Sequence, residues 1–420
     1  MMINNNRMKV KIEEMSKKEL LNFTEQRIFS LGFRDISSAL AYENMRYGLG
    51  KMIYALDSED VICVFGPDAT ITRNTGRWMS GFGYGAVIKW PDKGIFFPEL
   101  RPNACGMILC RLDEMPSKEE IIERVAEVES SELYLDDIKI KPDFGKGNHF
   151  FEFYKPLGIS PDISVMMPDD CNYALLHCSG SERKDRIYGF VDMGEWIETP
   201  LGRISVLDGN AGKEYYREWV ELENFSKRRR ELLAKEVLGD CKIISNLTHQ
   251  GLFARNEIRL GCYDSMDKSY PRGKALFPIA LRWDHSLYVF TGNENLSDDV
   301  MKQLMFDERV DSIGLKEEMN RINILPHGGG YTIKLDYERI EVIETKIGNN
   351  FIISGLKPIS TVDEISETNK KGLSKFGEMI IMSPHELPYD YRGIGIIERA
   401  MEYELGTPVA RLQPLMTIKI

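Results

Sequence analysis

The chain reads as an α+β fold in one large domain of 420 residues, on three observations. Helical and strand patterns are interspersed without the strict alternation that a parallel βαβ sheet requires. Hydrophobic residues make up 43% of the chain, ample for a packed core. No segment rich in Pro, Gly or Ser cuts the chain into parts. Taken in order, the elements bear this out. Val61–Phe65 is a short apolar run with the β-branched and aromatic character of a strand. Ser117-Lys118-Glu119-Glu120 has the spacing of a capping box, predicting a helix with Ile121, Ile122, Val125 and Val128 on its buried face. Tyr173–Leu176 repeats the strand pattern, and a long helix is predicted over Lys213–Leu238, stopped by Gly239. Leu287–Phe290, Ile340–Ile343 and Phe351–Ile353 are further strands. Glycine clusters at 81–85, 145–147 and 328–330 interrupt these runs.

Composition removes several function classes. The N-terminal stretch has no apolar run like a signal sequence, and nowhere do about 18 uncharged apolar residues stand together, so no membrane span is expected. Seven cysteines occur without a CxxC pair or regular spacing, which points to a reduced, cytoplasmic protein. A net charge of −11 argues against a surface that coats nucleic acid broadly, but leaves room for a local basic groove. The segment 208–215, DGNAGKEY, has a Gly-Lys pair but lacks the earlier glycine of a phosphate loop, and Glu214 stands where Ser or Thr would hold magnesium. It reads as a turn into the long helix.

Six histidines occur, and four share a type of setting. His149 lies in GKGNHFFE, His177 in LLHCSGSER, His249 in THQGLFARNE and His327 in PHGGGY. Glycine, serine or asparagine borders three of them at apparent element ends, where a ligand or nucleophile has approach space on a rigid base. Their separations match no local zinc signature, so spacing alone defines no metal site. His285 and His385 read as structural or surface residues.

Together these segments resemble the RtcB-type RNA ligases, the GTP- and manganese-dependent enzymes that join 3′-phosphate ends. GKGNHFFE is similar to GxGNHFxE, RPNACGMILC (101–110) to the family's D-x-x-C-G segment, LLHCSGSER to HSGSR, and PHGGGY to HGAGR. THQGLFARNE resembles a later HN-containing segment, ELPYDYRGIGII resembles APxAYKDVDEVV, and VARLQPLMTIKI resembles the terminal LxPxxxIKG. The matches keep the family's order from about residue 60 to 420, leaving residues 1–50 as a poorly matched N-terminal part. The resemblance implies a single domain over 1–420, with mixed and antiparallel sheets around a central metal cleft.

It also implies roles. Cys105, His149, His177 and His249 match the ligands of one or two Mn2+ ions. His327 matches the nucleophile that takes GMP from GTP, and Gly328, Gly329 and Gly330 form the loop that lets the phosphates approach. Asn148, Phe150 and Glu152 match nucleotide contacts, Tyr391 a stacking platform for guanine, and Lys419 the penultimate lysine that reaches the base. Arg230, in NFSKRRREL, matches an arginine read as an RNA-phosphate contact, the alternative being a solvated helix face. Three departures stand out: Pro102 replaces the family's metal-binding aspartate, Tyr331 its arginine after the glycines, and RWDHSLYVF (282–290) its PGSMG loop.

The implied activity is sealing of an RNA 3′-phosphate or 2′,3′-cyclic phosphate to a 5′-hydroxyl in tRNA processing or RNA repair, helped in the family by an activator such as archease. Two other readings are a ligation-deficient RNA-binding or regulatory paralogue and a metal-dependent phosphoesterase.

Overall fold

A computed structural model describes residues 11–145, 147–267, 269–271, 274–333, 339–345, 348–354, 379–381 and 389–418. Helix and strand each account for about 34%. The strands used below are β1 (Ile28–Ser30), β2 (Ile62–Thr70), β3 (Tyr84–Lys89), β4 (Gly106–Leu112), β5 (Phe150–Ile159), β6 (Asn172–Cys178), β7 (Lys242–Thr248), β8 (Gln250–Ala254), β9 (Glu257–Leu260), β10 (Leu276–Ile279), β11 (Leu287–Gly292), β12 (Ile324–Pro326) and β13 (Gly406–Ile418). The helices are α1 (Ile36–Leu56), α2 (Lys118–Ser130), α3 (Gly209–Leu238) and α4 (Gly395–Glu402).

One sheet runs β1-β2-β3-β9-β8 and is mixed, since β1 pairs with β2 in parallel while the other pairs are antiparallel. The second runs β7-β4-β6-β5-β13-β11-β10, antiparallel throughout. Its edge strands β7 and β10 lie against each other, so this sheet is nearly closed. β2 is buried along its whole length, including Asp68 and Thr70 in its second half.

The Ser117 capping box is present, with Glu120 returning a bond to the Ser117 N–H. Ile121, Val125 and Val128 are buried, but Ile122 is 64% exposed, because a step of one residue turns it off the face that the other three share. The long helix begins four residues earlier than the sequence suggests, so Gly209 to Gly212 form its first turn rather than a loop. It ends before Gly239, whose φ of 72° suits glycine. Tyr215, Trp219, Leu222, Phe225, Leu233 and Val237 form its buried stripe, and it packs on β4 and β7. The N-terminal part belongs to the core: Ile12, Leu20, Ile28, Leu49 and Met52 share one cluster with Trp90 and Trp219.

The two sheets join at one residue. β7 ends at Thr248, β8 starts at Gln250, and His249 lies between them. Its N–H donates to the Cys105 carbonyl at 3.0 Å, and its own carbonyl accepts from Gly261 and Cys262.

Candidate metal and nucleophile site

Strand register assembles the first part of the site. Cys105 immediately precedes β4, and His177 is the penultimate residue of β6, opposite Met107. Phe150, first in β5, stands opposite His177 and so carries His149 to the same rim. Thr248, opposite Gly106, brings in His249. Residues as far apart in sequence as Cys105 and His249 therefore meet at neighbouring strand ends.

Cys105 Sγ lies 3.0 Å from His177 Nε2 and 3.7 Å from His149 Nε2. Cys105, His177 and His249 offer ligand atoms all within 4.8 Å of one another, and this buried group could hold a metal ion. His149 reaches the thiol but falls outside that mutual group. The outer ring nitrogens fix the tautomers. His177 Nδ1 donates to the Asn148 carbonyl at 3.0 Å, leaving Nε2 as a lone-pair donor toward the thiol. His149 Nδ1 meets Asp143 Oδ2 at 2.8 Å, the carboxylate–histidine pairing that orients metal-binding imidazoles. Asp143 is in turn held by Arg229, whose Nη2 is 3.0 Å away.

The electrostatics favour neutral ligands. Burial pushes His177 well below the ordinary imidazole pKa, reinforced by His149 and His327. His249 shifts the same way, through burial and then His327 and His177. Burial raises the Cys105 thiol, so a cation binding there would have to displace its proton. Burial alone would raise Asp143, but the His149 bond and the Arg229 charge leave it lowered. Both ring nitrogens of His249 are buried without a hydrogen-bond partner among the described residues, an arrangement that is costly unless something else binds them. The donor set fits a divalent transition metal. Thiolate and imidazole by themselves suit zinc better than manganese, which prefers oxygen. Pro102 offers no side-chain donor, and the neighbouring Asn103 uses its side-chain oxygen to accept the Cys105 N–H at 3.0 Å.

His327 follows β12 and stacks beside His249 with ring centroids 4.3 Å apart. Asp68, near the end of β2, accepts from both the His327 N–H at 3.2 Å and its Nδ1 at 2.9 Å. A carboxylate can only accept, so Nδ1 carries the hydrogen and Nε2 of the neutral ring keeps its lone pair. Asp68 is completely buried, and its second oxygen has no hydrogen-bond partner among the described residues. Sequence reading missed it, although a lone acid inside the apolar run VICVFGPDATI was a signal.

The glycines have a firmer reason than approach space. A Cβ on Gly328 would lie 2.5 Å from the Ala280 carbonyl oxygen, and one on Gly329 2.4 Å from that of Leu281. Gly330 has φ +50° and backs onto Arg392 and Asp68. The loop is bare because the 280–281 backbone packs directly on it.

Asn148, Phe150, Glu152, His177, His327, Gly328, Gly329, Gly330 and Tyr391 line one cleft. Thr70, Tyr84, Met107, Tyr331 and the segment Ala280–Trp283 complete it. Tyr154 and Thr417 donate to the Glu152 carboxylate. Tyr331 pairs with Tyr391 across two short strands, and its ring lies 4.4 Å from that of Tyr389. An aromatic cluster thus occupies the wall where the resemblance implies a cation. Lys419 and His385 lie outside the described residues.

The basic run 227–230 divides. Lys227 pairs with Glu223, and Arg228 pairs with Asp136 on the surface. Arg229 binds Glu182 and Asp143 inside the protein. Arg230 is fully buried, so the reading of it as an RNA contact is corrected. Its guanidinium donates to Asn246 Oδ1, Thr248 Oγ1 and the Ala104 carbonyl, which braces the Cys105 turn from beneath.

No protein-family model matches the chain, and no curated protein matches it.

Proposed function

We propose that the protein is a GTP-dependent RNA ligase of the RtcB type, acting through a histidine–GMP intermediate. The observation that carries this is His327, set by Asp68 so that Nε2 keeps its lone pair, on the wall of a cleft beside the Cys105–His177–His249 group. A neutral imidazole is a good nucleophile near pH 7. In this reading His327 Nε2 attacks the α-phosphorus of GTP and pyrophosphate leaves. An RNA 3′-phosphate oxygen then takes the GMP and frees the histidine. Last, a 5′-hydroxyl attacks the activated 3′-phosphorus, GMP departs, and a phosphodiester remains. Asp68 orients the imidazole and balances the positive charge that it gains in the first step.

Cys105, His177, His249 and, beside them, His149 would hold the Mn2+ that the resemblance implies, as one ion or two. The metal would supply charge neutralisation for the phosphates. Glu152 lines the cleft with an acceptor carboxylate, and guanine presents N–H donors.

The test is labelling with α-³²P-GTP and Mn2+, followed by denaturing gel and acid treatment. An acid-labile adduct is expected, and it should be absent from His327→Ala. No adduct, or one that survives that substitution, overturns the assignment.

One observation favours a second reading, a paralogue that binds RNA or nucleotide without sealing. Tyr331 fills a tyrosine cluster where the family has an arginine, and a phenol cannot replace a bidentate cation. An adduct without joined RNA would select it.

A further inference from the structure

The turn Arg282–His285 is anchored at three of its four residues. Arg282 forms a two-pronged bond to Asp284, with Nε–Oδ1 at 2.6 Å and Nη2–Oδ2 at 2.8 Å. Its Nη1 crosses to Asp390 at 3.1 Å, beside Tyr391. His285 closes the turn through its N–H to the Arg282 carbonyl, and its ring bonds Asp284. That ring also backs onto Gly393, where a Cβ would lie 2.9 Å from Nε2. Trp283, the remaining residue, is 64% exposed although it lines the cleft with Phe150, Tyr391 and His327. The other tryptophans differ: Trp78, Trp90 and Trp219 are buried and Trp196 is half-buried. A large aromatic ring in water, on a turn fixed by ion pairs, gives a ligand apolar area at little cost in ordering.

We propose that Trp283 is a stacking platform for the base of the purine nucleoside triphosphate that enters this cleft. The inference deepens the ligase reading and rests on it for the identity of the nucleotide. A planar π-face is complementary to a base, not to a phosphate or ribose. Base recognition would then be shared between the edge, facing Glu152, and the face, on Trp283.

The test is equilibrium binding of GTP and of ribose 5-triphosphate, which lacks the base, to wild type, Trp283→Ala and Trp283→Phe, read by calorimetry and tryptophan emission. For Trp283→Ala the GTP Kd should rise about 5- to 150-fold, the span given by loss of one base–aromatic stack. Ribose 5-triphosphate should bind all three proteins equally. Trp283→Phe should keep most of the GTP affinity, and quenching by GTP in wild type should vanish in it. Unchanged GTP affinity in Trp283→Ala, or equal weakening of both ligands, overturns the proposal. That result with a 3′-phosphorylated oligonucleotide weakened instead would assign the ring to RNA. Failure of the ligase reading is separate, since it appears as a protein that binds GTP through Trp283 yet forms no His327 adduct. A wild type that binds no GTP overturns both.

Discussion

At the residue scale, Arg230 bears the most structural weight near the site. A fully buried guanidinium spans Asn246 and Thr248 on β7 and the Ala104 carbonyl next to Cys105. Gly106 is required beside it, since a Cβ there would lie 2.7 Å from the Arg230 Cζ. Arg230→Met should therefore cost roughly 3 kcal/mol or more, because it strips several buried acceptors of their donor. Arg230→Lys should recover little of that, as an ammonium cannot reproduce the planar fork. Arg228→Ala, which removes only an exposed pair with Asp136, should leave the denaturation midpoint essentially unchanged. Urea denaturation checks all three, and a mild Arg230→Met would show that the turn holds without its brace. The same four basic residues mark a limit of sequence reading. Three arginines in a row look alike on paper, yet helix rotation sends Arg228 to solvent and Arg229 and Arg230 inward.

At the scale of elements, the glycine loop and the 280–283 segment behave as one unit. Gly329→Ala would drive a Cβ against the Leu281 carbonyl, and backbone cannot yield as a side-chain tip can. A loss of about 1–3 kcal/mol is expected, the usual range for overpacking. Because the displaced segment carries Trp283, GTP affinity should fall with it. Gly158→Ala, with nothing within 4 Å of its Cβ, should change neither quantity. Thermal melts and GTP titration of the two variants check this, and equal behaviour would separate loop from segment. What could be read beforehand here follows the range of the interaction. The Ser117 capping box and the Gly239 stop are local, so a few adjacent residues announced them. The four histidines were marked by their small neighbours, which also belong to strand ends. Asp68 was marked only as a lone acid in an apolar run, and its role was hidden because its partner His327 is 259 residues away. The packing reason for Gly328 and Gly329 was hidden likewise, since Ala280 and Leu281 contribute only carbonyl oxygens to it.

For the whole molecule, the decisive feature is that the Cys105–His177–His249 group spans the junction of both sheets. Cys105 and His177 lie at strand ends of the nearly closed sheet, while His249 is a one-residue link from that sheet to the mixed one. A cation bound there by the native state alone stabilises the fold by about 2.7 kcal/mol at 100 times its Kd. Unfolding entropy is about 2.1 cal/mol/K per residue, so for 420 residues the melting temperature should rise about 3 °C. Melts of chelator-treated protein with added Zn2+ or Mn2+ measure this, and Cys105→Ala should abolish the rise. His149→Ala should reduce it less, because that ring reaches the thiol from outside the mutual group. An unchanged rise in Cys105→Ala would place the ion elsewhere. The order of metals carries separate information. One thiolate and two imidazoles should reach half-effect at lower Zn2+ than Mn2+, following the divalent affinity order. GTP phosphates would add the hard oxygens that manganese prefers, so GTP should narrow the gap between the two. If Mn2+ already matches Zn2+ without nucleotide, an oxygen from the protein must join the set.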